Sequence, residues 1–124
     1  MFKRSSVIFI AFVALVAPIA NAYADLYAAI AYSESTGRVG YQFNTYRLED
    51  AEQAALYRCG AYDCNVKVWV RNGCASLARA TNGTLGWSWS TSLSIAQSQS
   101  LYECSLRGHS CGVLAWTCTS GYLP

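Results

Sequence analysis

The sequence predicts an α+β domain made of two copies of one β-β-α-β unit. Motifs of the first half return in the second half at a nearly constant shift of about 46 residues, which is typical of a duplicated supersecondary unit. Gly40-Tyr41-Gln42-Phe43 corresponds to Gly86-Trp87-Ser88-Trp89, and Cys59 corresponds to Cys104. Alternating strand runs and one apolar stripe per helix complete the pattern. We therefore expect a largely antiparallel sheet with two helices on one face.

Each predicted unit begins with two strands joined by a turn. The first strands are 27–32 and 74–79, and the turns fall at Ser35-Thr36-Gly37 and at Asn82-Gly83. An Asn-Gly pair between apolar runs is a strong hairpin signal. The repeats are expected to span about residues 26–71 and 73–119.

The second strands carry large aromatic side chains in strict alternation with small or polar ones. Tyr41 and Phe43 alternate with Gly40 and Gln42, and the second copy repeats this with Trp87 and Trp89. Because period-2 alternation indicates one buried face, we expect these four aromatic side chains to face the helices. A sugar-stacking platform is the alternative interpretation.

A helix and a third strand complete each unit. The helix positions that share one stripe are Leu48, Ala51, Ala55, Leu56 and Cys59, matched by Leu93, Ala96, Ser100, Leu101 and Cys104. Thr45 and either Thr91 or Ser92 are the expected N-caps. The last strands are expected over 65–71 and 112–119.

The first 24 residues have the pattern of a signal peptide. Lys3 and Arg4 precede an apolar run over 7–17, Pro18 breaks this run, and Ala22-Tyr23-Ala24 supplies small residues for cleavage. A membrane anchor is the alternative, but the run is shorter than the roughly 20 residues that span a bilayer. We expect cleavage after Ala24, a single mature domain over 25–124, and a secreted or periplasmic protein without a membrane span.

The net charge of the whole chain is +2, and the predicted signal peptide accounts for this excess. Without Lys3 and Arg4, seven basic residues remain beside the seven acidic residues, all of which lie in the mature region. A neutral domain does not have the basic surface that nucleic-acid binding requires. We expect no nucleic-acid partner.

All six cysteines lie after the predicted signal peptide, which favours a disulfide framework. A zinc site is the alternative, but the cysteine spacings do not match common zinc knuckles and His109 is the single histidine. If the halves fold alike, Cys59 pairs with Cys64 and Cys104 pairs with Cys111. Cys74 and Cys118 have no counterpart in the repeat and are left to pair with each other.

Several motifs together resemble a known bacterial family. They are Ala31-Tyr32-Ser33, Gly40-Tyr41 with Gly86-Trp87, Ala54 to Cys59, Cys64 to Trp69, and Asn72-Gly73-Cys74-Ala75. The chain resembles the bacterial "domain of unknown function" family numbered 4189 over nearly all of 27–118. The resemblance implies the fold and an exported location. It implies no catalytic residues, because none are established for that family.

Candidate catalytic residues all have ordinary structural explanations. His109 lies beside Ser110 in a loop that corresponds to the loop of Asp63, but the sequence indicates no partnered serine or cysteine nucleophile for it. Glu49, Asp50 and Glu52 could serve a hydrolase, but acids in a first helical turn also complement the helix dipole. Asn82-Gly83-Thr84 matches a glycosylation sequon, and we interpret it as the hairpin turn.

The candidate binding residues are on the third strand of each unit. Alternation predicts that the valines at 66, 68 and 70 face the helices. The opposite face of the sheet would then carry two tryptophans flanked by basic residues, namely Lys67, Trp69, Arg71, Leu114 and Trp116. Coverage by a loop, a terminus or closure of a barrel is the alternative for these tryptophans.

The sequence thus favours a small exported binding or inhibitor-like module that contacts a protein or a cell-envelope component. A cell-envelope hydrolase that uses acidic residues and a structural envelope protein are the alternatives. We expect no cofactor and no metal, and the sequence does not determine the oligomeric state.

Overall fold

The computed structural model describes residues 24–122, so the predicted signal peptide lies outside the described residues except for Ala24. The elements in chain order are β1 (Tyr27–Tyr32), β2 (Val39–Thr45), α1 (Leu48–Cys59), β3 (Asn65–Arg71), β4 (Cys74–Arg79), β5 (Leu85–Ser90), α2 (Leu93–Ser105) and β6 (Gly112–Cys118). The α+β class and the duplicated β-β-α-β unit are confirmed.

The strands form two sheets rather than one. Sheet 1 has the order β2-β1-β3 and sheet 2 has the order β5-β4-β6, with antiparallel neighbours throughout. The sheets pack face to face, with β3 against β5 and β2 against β6. Helix α1 packs on the outer face of sheet 1 and helix α2 on that of sheet 2. The expectation of one sheet with both helices on the same face is therefore corrected.

The central strands explain this layering because they are apolar on both faces. In β1, Ala28 and Ile30 pack with Leu77 of sheet 2, whereas Ala29 and Ala31 pack with α1. A strand that is buried on both faces reads as a continuous apolar run. Small alanines face the helix and larger side chains face the other sheet, so each layer fills the space available to it.

Glycine in the middle of the second strands lets each helix approach the backbone closely. A Cβ built on Gly40 would lie 2.2 Å from the backbone of Ala55 and of Cys59, and one on Gly86 would lie 2.2 Å from the backbone of Cys104. Gly40 and Gly86 therefore face the helices. The prediction that the alternating aromatic residues face the helices is wrong, because the glycines take that side.

A β-bulge in each third strand shifts the alternation. Ile30 pairs with Val68 but Ala31 pairs with Val66, so Lys67 is the extra residue of β3. Leu114 is the corresponding extra residue of β6. After the bulge, Val68 and Val70 face the other sheet, although alternation placed them toward the helix. One extra residue reverses the side on which every later residue lies.

The helices bury the predicted stripe at its central positions. The buried residues are Ala51, Ala55 and Cys59 in α1 and Ala96, Ser100 and Cys104 in α2. Ser92 caps α2 by accepting a hydrogen bond from the Ile95 N–H, as predicted, whereas the N-cap of α1 is Arg47 rather than Thr45. In residues 24–122, neither helix is long and apolar enough to cross a membrane.

Three disulfides join Cys59 to Cys64, Cys104 to Cys111 and Cys74 to Cys118. The first two connect the end of a helix to the segment before the next strand, at equivalent places in the two units. The third joins the directly opposed residues of β4 and β6. This is the pairing that follows from the repeat.

Candidate binding site: two aromatic clefts

The sandwich is open along its two edges, and aromatic side chains of the second and third strands lie at each edge. Tyr41 lies opposite Ile30 and Trp87 opposite Leu77, so both point toward the other sheet. They nevertheless remain 47% and 42% exposed, because no element covers the edges of the described domain. Each third strand adds a tryptophan, Trp69 at one edge and Trp116 at the other.

The larger cleft, at the edge formed by β3 and β5, has a volume of about 950 Å³. We call it the basic aromatic cleft, because three tryptophans and three basic residues line it, namely Trp69, Trp87, Trp89, Arg47, Lys67 and Arg71. The tryptophans are between 42% and 60% exposed. Val68 and Val70 also line it, as does Glu49 at the start of α1.

The second cleft, at the edge formed by β2 and β6, has a volume of about 510 Å³. Its lining includes Tyr41, Phe43, Leu114, Trp116 and Thr117, and it contains no charged side chain among the described residues. We call it the neutral aromatic cleft. The repeat relates the two clefts, since Tyr41 corresponds to Trp87, Phe43 to Trp89 and Trp116 to Trp69.

The five predicted binding residues do not form one surface. Lys67, Trp69 and Arg71 line the basic aromatic cleft, whereas Leu114 and Trp116 line the neutral aromatic cleft at the other edge.

The prediction that the two tryptophans lie on the sheet face away from the helices is also wrong. Trp69 pairs with Ala29, and Trp116 pairs with Ser76. Ala29 packs with α1, and Ser76 hydrogen-bonds Ser100 of α2 at 2.8 Å, so both tryptophans lie on the helix side, at the edge that the helix leaves open.

Two of the three cations in the basic aromatic cleft have acidic partners. The Lys67 ammonium lies 3.2 Å from the Glu34 carboxylate, and the Lys67 side chain is only 16% exposed. It also lies 6.0 Å from the centroid of the Trp87 ring, within the range of a cation–π interaction. Lys67 therefore helps to hold Trp87 in place. The exposed Arg47 lies 3.7 Å from Glu49.

Arg71 is the third cation of this cleft. Among residues 24–122 its guanidinium makes no hydrogen bond and no ion pair, and the residue is exposed at the end of β3. It pairs in register with Tyr27 of β1. The corresponding pair in the second unit is Cys74 and Cys118, which form a disulfide. The two units therefore differ at this place.

Thr117 is the one side chain in the described range with a buried polar atom that lacks a hydrogen-bond partner. The residue is 3% exposed and lines the neutral aromatic cleft. The corresponding residue in the first unit is Val70, which is 2% exposed. A hydroxyl therefore replaces a methyl group at equivalent buried positions.

Asp63 and His109, the loop residues considered for catalysis, make separate local contacts. The Ser33 hydroxyl donates a hydrogen bond to the Asp63 carboxylate at 2.6 Å, and the Ser35 N–H donates another at 2.9 Å. These bonds lower the pKa of Asp63 below its ordinary value of 3.8. The exposed His109 accepts a backbone hydrogen bond from the Thr81 N–H. Asp63 thus braces the turn between β1 and β2.

The remaining acidic candidates do not converge. Glu49 lines the basic aromatic cleft, whereas Asp50 and Glu52 are not part of its lining. Within residues 24–122, no three His, Cys, Asp or Glu side chains are grouped so that they could hold a metal ion. The Asn82 carboxamide oxygen accepts a hydrogen bond from the Thr84 N–H at 3.0 Å, as expected for the turn.

Trp87, Trp89, Tyr41 and Phe43 are the cleft residues that the sequence placed in the core. The available signal was the glycine that precedes the first aromatic residue in each strand. Glycine inside a strand often marks close approach of another backbone. That reading assigns Gly40 and Gly86 to the helix side and the aromatic side chains to the other.

Two β-β-α-β units whose sheets pack face to face define the class of this domain, an α+β sandwich with a helix on each outer face. The chain belongs to the family DUF4189, a domain of unknown function, whose model matches residues 27–118. It is similar to the NMR structure of Rv1813c from Mycobacterium tuberculosis, with 26% identity and a TM-score of 0.58, over 75% of this chain and 74% of that chain. No curated protein matches it.

Proposed function

We propose that this protein is an exported binding module that contacts a protein or cell-envelope component through the basic aromatic cleft. One observation carries the proposal, namely that three half-exposed tryptophans and an unpaired guanidinium share one cleft. Tryptophan and arginine are enriched among the residues that dominate binding energy. Export is supported by the signal-peptide pattern and by the three disulfides, which persist in oxidising compartments.

Binding fits this cleft better than hydrolysis does. Hydrolysis of glycosides by acidic residues normally requires two carboxyl groups on either side of the scissile bond. Within the described domain, the lining of the basic aromatic cleft includes one carboxylate, that of Glu49, which faces Arg47. The cleft therefore offers contact surface and charge rather than a pair of catalytic acids.

The test is sedimentation of the exported protein with insoluble bacterial cell-envelope material. Trp69→Ala should weaken binding about tenfold or more, because it removes a central aromatic contact. Trp116→Ala is the matched control at the equivalent position of the neutral cleft and should bind like the parent. Both tryptophans are more than a third exposed, so both variants should melt close to the parent.

Arg71→Gln supports the same test without removing a large side chain. It should also weaken sedimentation, because it removes the unpaired charge of the cleft. The proposal fails if Trp69→Ala and Arg71→Gln both bind like the parent, or if Trp116→Ala alone abolishes binding.

A further inference from the structure

We infer that the basic aromatic cleft binds an acidic polysaccharide, whose sugar rings stack on the tryptophans and whose carboxylates pair with Arg71. This inference rests on the proposed function and names the ligand of the same site. Ring stacking, charge, hydroxyl recognition and the shape of the strand edge each support it.

The tryptophans provide the stacking surface. Trp87 and Trp89 lie two residues apart on one strand and point to the same side, so their Cα atoms are about 7 Å apart. Trp69, on the helix side of edge strand β3, lines the same cleft. A pyranose ring has an apolar face of C–H groups surrounded by hydroxyls. This face can stack on the apolar face of an indole, whose N–H remains available for a hydrogen bond. Several indoles along one open edge fit several rings of a polymer.

The charge of the cleft fits an anionic ligand that binds through one ion pair. Three of the seven basic residues of the mature region line it, but Arg47 and Lys67 face acidic partners. Among the described residues of the cleft, Arg71 alone offers an uncommitted guanidinium, whose planar donors match a carboxylate. Nucleic acid would require several free cations along its phosphates. For a sugar acid, stacking of the ring faces on the tryptophans adds to the single ion pair with Arg71.

The polar rim of the cleft favours a sugar over an acidic peptide. Glu49 is about two-thirds exposed, and its carboxylate can accept hydrogen bonds from hydroxyl groups. Tyr46, which is 73% exposed, adds a phenol at the same end of the cleft. A sugar acid carries several hydroxyl donors on every ring, whereas a poly-glutamate chain offers only its backbone N–H groups to Glu49.

The strand edge also disfavours a peptide that adds to the sheet. Strand addition uses a regular row of free backbone groups at a sheet edge. The edge strand β3 contains the bulge at Lys67, and bulges and lysines at edges are features that discourage such pairing. Strand addition to β3 is therefore disfavoured, whereas β5 at the same edge pairs with β4 without a bulge.

The experiment titrates the exported protein with three probes and follows tryptophan fluorescence. Oligogalacturonate has sugar rings and carboxylates, its fully methyl-esterified form has the rings without the charge, and poly-glutamate has the charge without the rings. We expect oligogalacturonate to bind at least about tenfold more tightly than the other two, since only it engages both the rings and Arg71.

Variants then assign the effect to the cleft. Arg71→Gln should reduce oligogalacturonate binding to the level of the esterified probe, and Trp89→Ala should weaken both sugars about tenfold. Phe43→Ala, the counterpart of Trp89→Ala in the neutral cleft, should leave both unchanged. The inference is overturned if poly-glutamate binds as well as oligogalacturonate, if no sugar binds, or if Phe43→Ala has the largest effect. Cleft-dependent binding to envelope material without binding to oligogalacturonate would overturn this inference and leave the proposed function standing.

Discussion

The two halves of the molecule share a backbone plan and differ at the open end of each sheet. In the second half, Cys74 and Cys118 are directly opposed and covalently joined. In the first half the same register positions hold Tyr27 and Arg71, which line the basic aromatic cleft. The second unit therefore has a disulfide at this register position, and the first unit has the cation of Arg71. We therefore test the edge that carries Arg71 as the binding edge.

The two clefts also differ in charge, in volume and in tryptophan content. Lys67 and Arg71 of the first half correspond to Leu114 and Cys118 of the second. The basic cleft is also the larger, with three tryptophans where its counterpart has one beside Tyr41 and Phe43. Equivalent positions thus supply matched controls for the tryptophan substitutions in the basic aromatic cleft.

The largest expected effect comes from removing the cross-link of the second half. Cys74→Ala with Cys118→Ala opens a closure of 44 residues, and should lower the free energy of unfolding by about 4 kcal/mol from chain entropy. Cys59→Ala with Cys64→Ala opens a closure of 5 residues, for which about 2 kcal/mol is expected. Denaturant unfolding measures both. Equal decreases in the free energy of unfolding would show that the Cys74–Cys118 disulfide does not stabilise the fold more than the Cys59–Cys64 disulfide.

The next largest effect is a loss of stability on substituting the glycine that faces the helix, and it should be equal in the two halves. Gly40→Ala and Gly86→Ala each place a Cβ 2.2 Å from helix backbone, so the helix must shift, at a cost of about 1–3 kcal/mol or more. Gly112→Ala is the control, since a Cβ there meets nothing within 4 Å. Thermal unfolding compares the three variants. A harmless Gly40→Ala would contradict the close packing of α1 on β2.

Thr117 and Val70 should respond in opposite directions. Thr117→Val removes a buried hydroxyl without a partner and should raise the free energy of unfolding by up to about 1 kcal/mol. Val70→Thr introduces such a hydroxyl at a position that is 2% exposed, and should lower it by about 1–3 kcal/mol. Unfolding in denaturant at neutral pH tests the pair. Destabilisation by Thr117→Val would mean that the hydroxyl has a partner.

The smallest effect concerns pH. The pKa of Asp63 is lowered in the folded protein by hydrogen bonds from Ser33 and Ser35, so its carboxylate stabilises the fold above the unfolded pKa. That stabilisation is lost as the pH falls below about 4 and through the folded pKa. Asp63→Asn should therefore make the melting temperature less dependent on pH in this acidic range. An unchanged pH profile would show that Asp63 does not brace the turn.

The repeat predicted most of the fold because duplication constrains both halves at once. The matched cysteines predicted two bridges and left Cys74 and Cys118 for the third. Alternation failed in β3 and β6, since a bulge at Lys67 or Leu114 changes the face of the residues that follow. No residue type in the sequence marks these bulges.

The candidate site was predicted only in part. Lys67, Trp69 and Arg71 do line one cleft, but their neighbours Trp87 and Trp89 were assigned to the core. Sequence periodicity shows that one face of a strand is special without showing which layer covers it. The aromatic side chains of β2 and β5 point away from the helices because each helix packs on the glycine face of its strand. The other sheet packs on the aromatic face.

The most direct measurement is an NMR titration of the disulfide-bonded protein with oligogalacturonate, observing the side-chain N–H signals of its four tryptophans. Trp69, Trp87 and Trp89 lie in the basic aromatic cleft and Trp116 lies in the neutral one, so one spectrum contains the site and its control. The account predicts that the first three signals shift with a common dissociation constant while that of Trp116 stays in place. A shift of Trp116 alone, or equal shifts of all four, would contradict it.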